Sequence, residues 1–223
     1  MGLPVYKIFC SKYNNSDIFI YSVMIRGVIM AREGQRLRSE SVRQEILDTA
    51  LFIGLEQGFE EVSIRKIIQK MKYSTGVVYY HFGDKQEIID AIEAAQTQWL
   101  HGEIQKLIEQ DQDIFREMEA VFRRVMRLAY EEPEKYNLIV LHKYSRQKTE
   151  RPEWVAYLSQ KFEAAMKSGL IREMDSEKAA FSVWSSFLGF SLMISRQKGI
   201  TLDRAEELFR VQFDIILQGI RQL

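Results

Sequence analysis

A chain of 223 residues with 46% hydrophobic content can bury a sizeable core, and its three prolines and weak glycine punctuation favour helices over a sheet sandwich. Its 31 basic and 31 acidic residues balance, so no overall field drives the molecule onto nucleic acid. The single cysteine, Cys10, excludes an internal disulfide and suits a reducing cytoplasm.

Residues 1–29 mix aromatic and polar side chains with no helical stripe, no basic start and no small-residue cleavage site, so they do not read as a signal peptide. The apolar piece 18–29 is too short to span a bilayer and contains Arg26. Met30 reads as the natural start, which makes 1–29 a leader, disordered or not native. Arg32, Arg36, Arg38 and Arg43 then outnumber Glu33 and Glu40, forming either a flexible arm that reaches a backbone or minor groove, or a merely solvated one. Ser41, paired with Gln44 as a cap, is expected to open the first helix; Val42, Ile46, Ala50 and Ile53 form its buried stripe and Gly58 ends it.

Residues 63–85 place two short helical patterns around a turn. Ile64, Ile67, Ile68 and Met71 recur at the spacing that buries one helix face, leaving Arg65, Lys66, Gln69 and Lys70 outward. The pattern breaks at Lys72 and Tyr73, and Ser74 is expected to cap a second helix through its side chain. Val78 and Phe82, four apart, suffice to anchor that helix. Thr75, Gly76, Val77, Tyr79, Tyr80 and His81 are left over, and they suit a nucleic-acid groove. Hydroxyls bond phosphate oxygens, glycine admits a close backbone, and valine packs on a thymine methyl. Between residues 62 and 85 Arg65, Lys66, Lys70, Lys72 and Lys85 oppose Asp84 alone, so positive charge is local to this face.

The run 46–85, with Ile46-Leu47-Asp48-Thr49-Ala50-Leu51, then Gly58-Phe59, then a helix-turn-helix ending in Tyr79-Tyr80-His81-Phe82 and Lys85, resembles the DNA-binding domain of the tetracycline-repressor (TetR) family of bacterial transcriptional regulators. The resemblance implies that Arg65 and Thr75 face bases, with Val77 and Tyr80 as further candidates, and that Gly76 lies in the same interface. It implies phosphate contacts for Ser63, Ser74, Tyr79, His81 and Lys85, with Asp84 capping the helix that Lys85 begins. Three positions depart from the family pattern. Lys72 stands where a glycine is usual, Tyr73 replaces a small aliphatic residue, and Gly54 sits where the first helix carries a bulky apolar one.

A long amphipathic segment follows from residue 84 to 110, with Ile88, Ile92, Trp99, Ile104 and Leu107 expected on or near its buried face. Beyond Asp113 come a helix rich in Phe115, Met118, Phe122, Val125 and Met126, a break at Pro133, an apolar run 136–141, a second break near Pro152 and a helix ending at Gly169. Residues 179–195 carry no charge, and their apolar side chains point almost all round a helical wheel, which implies burial on every side. A bilayer span is the rival reading, opposed by Ser182, Ser185, Ser186, Ser191 and Ser195 and by charged flanks. The last helix has two stripes, Leu208, Val211 and Ile215 on one and Phe209, Phe213, Ile216 and Ile220 on the other. One can face its own core and the other a second copy, in a four-helix interface about a two-fold axis. Trp184, Phe187, Leu188, Phe209, Phe213, Ile216 and Ile220 are the expected interface residues, and the family resemblance implies the same arrangement.

The expected architecture is therefore all-α: a leader (1–29), a helix-turn-helix DNA-binding domain (30–88) and an effector-binding and dimerisation domain (89–223). The resemblance implies a homodimer on a palindromic operator in double-stranded DNA, released by an apolar or aromatic small molecule, with repression as the default. Trp99, Phe122, Met126, Tyr130, His142, Tyr144, Trp154 and Tyr157 are the candidate pocket lining, each also readable as plain core. No cofactor or metal is expected, because His81, His101 and His142 share no ligand spacing and no glycine-rich phosphate loop occurs. A helical enzyme without a recognisable motif, or a helical protein-interaction module, stays open as an alternative.

Overall fold

A computed structural model describes residues 15–110, 113–141 and 153–221. Helix α1 runs unbroken over Asn15–Gln57. The expected start at Ser41 is thus corrected, and the backbone is helical from Asn15 onward. The physical reason is cooperativity: extending a helix gains one hydrogen bond per residue fixed, and no proline falls between Pro4 and Pro133 to stop it. Ser41 is an exposed mid-helix residue, and Gln44 bonds Asp48 at 2.8 Å instead of a cap. Ile46, Ala50 and Ile53 form the buried stripe, and Gly58, at φ 93°, ends the helix by donating to the Gly54 carbonyl.

A 3-10 turn, Phe59–Glu61, leads into α2 (Ile64–Met71), whose first turn is capped by Ser63 Oγ accepting from Lys66 N at 3.2 Å. The turn closes at Lys72, the one non-glycine residue with positive φ among those described (φ 60°, ψ 23°). In α3 (Thr75–His81) Ser74 occupies the cap position, but its side chain makes no capping bond, which corrects the expectation. The Val77 N–H is already taken by the Ser74 carbonyl at 3.1 Å. Seven residues are too few to hold a helix in water. Val78 and Phe82 are both buried, and each such side chain contributes about 1.5–3 kcal/mol.

Helix α4 (Lys85–Gln110) crosses without a break the boundary expected at 88/89. Asp84 caps it by accepting from Glu87 N at 2.9 Å, and Glu87 in return accepts from Gly83 N. Ile88, Ile92, Leu100 and Ile104 are buried; Leu107 is half-buried. Trp99 is corrected: Leu100, in register with Ile92 and Ile104, takes the inward position, so the neighbouring indole turns out. It sits between two cations, Arg124 at 5.1 Å and Lys135 at 3.7 Å from the ring centroid.

Helix α5 (Ile114–Glu131) packs against α4 on one side and, on the other, against α8 (Ser176–Arg196) and α9 (Leu202–Ile220). Pro133 starts the short α6 (Pro133–Tyr136), which passes into a π-helical turn, Asn137–Leu141. Helix α7 (Glu153–Lys167) packs along α8 and ends at Gly169 (φ 71°), where Leu170 N reaches the Ala165 carbonyl and Gly169 N the Met166 carbonyl. The buried side chains from Ile46 to Ile220 form one continuous apolar cluster. Among the described residues there is no strand and no helix long and apolar enough to cross a membrane.

The expected interface residues are the largest correction. Trp184 (4% exposed), Phe187, Phe209, Phe213, Ile216 and Ile220 are buried within the protomer, and Leu188 is half-buried. Phe122 of α5 explains this, since it stacks on Phe187 at 4.2 Å and meets Trp184 and Phe213. The apolar side chains left outside are Phe181, Leu192 and Met193 on α8 and Val211 and Ile215 on α9. Burial on every side of α8 is therefore not completed within one chain.

Candidate nucleic-acid interface and an inner cleft

Thr75, Gly76, Tyr79 and Tyr80 of α3 are exposed, Tyr80 at 79%, while Val77 and His81 are half-buried. The Tyr80 and His81 rings meet edge to face with centroids 5.0 Å apart. Nothing inside the protein demands glycine at 76, because a Cβ there would meet only Ser74 Oγ at 3.9 Å. What glycine leaves open is the outer surface, where another backbone can approach. Ser63 and Ser74 flank this face at the two helix starts, Ser63 half-buried and Ser74 exposed.

The basic side chains divide into two kinds. Arg65 and Lys72 are exposed. Lys66 is engaged internally, 2.7 Å from Glu61 and 3.0 Å from Gln57, and its ammonium holds the Glu61 carboxyl below the ordinary glutamate value. Lys70 lies over the Phe52 ring at 3.8 Å. Lys85 donates to the Glu60 carbonyl at 2.8 Å, pinning the start of α4 to the 3-10 turn. Of these ammonium groups only Lys66 is paired with a carboxylate among the described residues, and Lys70 and Lys85 keep their charge while resting on neutral partners.

Two departures from the family pattern acquire physical reasons here. The Phe59 ring lies against Gly54, where a Cβ would come within 2.5 Å of Cε1. The Tyr73 hydroxyl donates to Glu45 at 3.0 Å, tying the turn to α1, and that hydrogen bond raises the Tyr73 pKa. Neither tie is legible from spacing alone, since each joins residues on separate elements.

The candidate pocket residues scatter. Trp154 and Tyr157 of α7 face His101, Ile104 and Ile108 of α4 across a cleft of ≈ 190 Å³. Phe122 and Met126 are fully buried, and Phe122 lines a much smaller inner void of ≈ 10 Å³ that also touches Trp154, Tyr157 and Trp184. Tyr130 bonds the Ile200 carbonyl at 3.3 Å, joining α5 to the start of α9. His142 and Tyr144 lie outside the described residues. Trp99, clasped by its two cations, lines neither space.

Sequence reasoning missed Glu117. This carboxylate is 4% exposed, accepts from the Tyr157 hydroxyl, and meets Lys161 Nζ at 2.7 Å. Burial and that bond raise the Tyr157 pKa above the ordinary tyrosine value. The available signal was a charged residue in phase with the apolar stripe Ile114, Met118, Val121, Phe122. A second buried carboxylate, Glu206 of α9, pairs with Arg127 at 2.7 Å and staples α9 to α5.

Residues 46–92 match the family description "Bacterial regulatory proteins, tetR family". The chain is 34% identical over 58 residues to the HTH-type transcriptional regulator SrpR of Pseudomonas putida, covering 26% of this chain and 27% of that protein. It is 30% identical over 121 residues to the HTH-type transcriptional repressor AcnR of Corynebacterium efficiens, covering 51% and 54%. The match thus spans about a quarter to about half the length of these curated relatives. Among solved structures, AibR in complex with isovaleryl coenzyme A and operator DNA superposes with a TM-score of 0.61 at 22% identity, covering 78% of this chain and 97% of that one. At that identity the likeness is one of fold.

Proposed function

We propose that the chain, whose residues 46–92 match the tetR family of bacterial regulatory proteins, is a member of that family and a DNA-binding transcriptional repressor, acting as a homodimer on a palindromic operator and released by a small hydrophobic molecule. The observation that carries the reading is α3: a short helix anchored by Val78 and Phe82 that leaves Thr75, Gly76, Tyr79 and Tyr80 facing out beside the exposed Arg65. In this reading Arg65 and Thr75 reach base edges. Ser63, Ser74, Tyr79, His81 and Lys85 hold phosphates.

The exposed apolar set Phe181, Met193, Val211 and Ile215 on α8 and α9 supports pairing of two copies through these helices. A two-fold pair presents two α3 helices to half-sites ~34–36 Å apart, one turn of duplex. A ligand bound beside α4 changes that separation, because the first turn of α4 lies in the DNA-binding head. Driving the population from 1:99 to 99:1 takes ~5.5 kcal/mol of differential binding. A regulator of this kind performs no catalysis and works where the bacterial DNA is, in the cytoplasm.

Footprinting on genomic fragments tests the proposal. The expected result is a protected palindrome whose affinity falls steeply with salt, as released counterions require. Purified protein indifferent to every duplex at low ionic strength would overturn it.

A further inference from the structure

The cleft and the inner void share two walls, Trp154 and Tyr157, and behind Tyr157 lies Glu117. A buried ion pair is often no more stabilising than a well-packed hydrophobic substitute, so a carboxylate set among Met118, Val121 and Phe122 invites a role beyond folding. Its partner reaches in from solvent, with the Lys161 side chain 35% exposed. That ammonium shows what the place accommodates: it meets the Glu117 carboxylate at 2.7 Å and lies 5.3 Å from the Tyr157 ring centroid. Trp154 stacks on Trp184 at 5.9 Å and meets Tyr157 edge-on at 6.2 Å, so the cleft wall that Trp154 and Tyr157 form is aromatic. Such faces attract cations through the ring quadrupole. Among the described residues the cleft lining holds Glu153 and no lysine or arginine.

We infer that the cleft between α4 and α7 takes a hydrophobic monocation, an aromatic or aliphatic ammonium, whose charge is received by Glu117 once the Tyr157 hydroxyl swings aside. The cation stands in for Lys161, and its apolar body lies on Trp154 against Ile104 and Ile108. Entry pushes on α4, the helix that continues into the DNA-binding head. The assignment rests on the effector-responsive reading above and names the ligand class.

The test uses the full chain and two isosteres of matched shape, phenyltrimethylammonium and neutral tert-butylbenzene, followed by calorimetry and tryptophan fluorescence. The cation is expected to bind at least tenfold tighter than the neutral compound. Glu117→Gln should shrink that margin to within threefold, and Lys161→Met, which removes the resident competitor, should widen it. Equal binding of the two compounds, no binding of the cation at millimolar concentration, or an unchanged margin in Glu117→Gln would overturn the assignment. Should Glu117→Gln lose its helical circular dichroism, Lys161→Met decides alone: unchanged or weaker cation affinity overturns it. Release from the footprinted operator is read separately. Glu117-dependent binding without release leaves the site standing and removes its regulatory role; operator binding without cation affinity does the reverse.

Discussion

Gly54 and Phe59 form a matched pair in which the small residue makes room for the ring of the large one. Gly54→Ala should therefore cost ~1–3 kcal/mol through overpacking, because its Cβ would meet Phe59 Cε1 at 2.5 Å. Denaturant unfolding checks this, and the cost should fall in a Phe59→Leu background; an equal cost in both would separate the two residues. Arg65 is a different case, exposed and outside the internal ties that hold Lys66 and Lys85. Arg65→Ala is expected to weaken operator binding by ~1–3 kcal/mol and relax preference at one base position. A binding-site selection that returns the same consensus would assign Arg65 to the phosphate backbone instead.

The helix-turn-helix holds its shape through ties that sequence pattern does not display. Lys85 Nζ on the Glu60 carbonyl and the Tyr73 hydroxyl on Glu45 lock the head's elements together around α3. Lys85→Ala should thus act twice. Without DNA, one lost hydrogen bond lowers unfolding stability by ~0.5–1.5 kcal/mol. With DNA, all sequences should weaken alike and the salt slope should flatten by about one. A stability loss with an unchanged slope would make this ammonium purely structural. The turn at Lys72 carries its own cost, since a left-handed backbone is disfavoured for any residue with a Cβ.

At the scale of the molecule, one uninterrupted helix, α4, runs from the helix-turn-helix head to the cleft proposed to take the effector. In that proposal the continuity is what would carry a small displacement at Trp154 toward α3, with no jointed linker between them. Pairing of protomers has a separate test. Met193 and Val211 are 72% and 56% exposed, so Met193→Glu with Val211→Glu should leave each protomer folded while shifting dimer to monomer in sedimentation. Trp184→Glu, by contrast, buries a charge in the aromatic core and should unfold the protomer. Dimers persisting in the double variant would move the interface elsewhere.

Helix periodicity, the anchors Val78 and Phe82, the Asp84 cap and the Gly58 and Gly169 stops were all legible in the residues. Each depends on neighbours within about one helical turn, and local spacing carries that information. Which apolar stripe of α8 and α9 turns inward was not. Both stripes satisfy the same periodicity, and the choice was made by Phe122, which lies more than fifty residues away in the chain and stacks on Phe187. The outward turn of Trp99, the room Gly54 leaves for Phe59 and the burial of Glu117 behind Tyr157 were likewise decided by packing between distant elements. A one-dimensional pattern records how often an apolar side chain recurs; what it meets is set only when the helices close on one another.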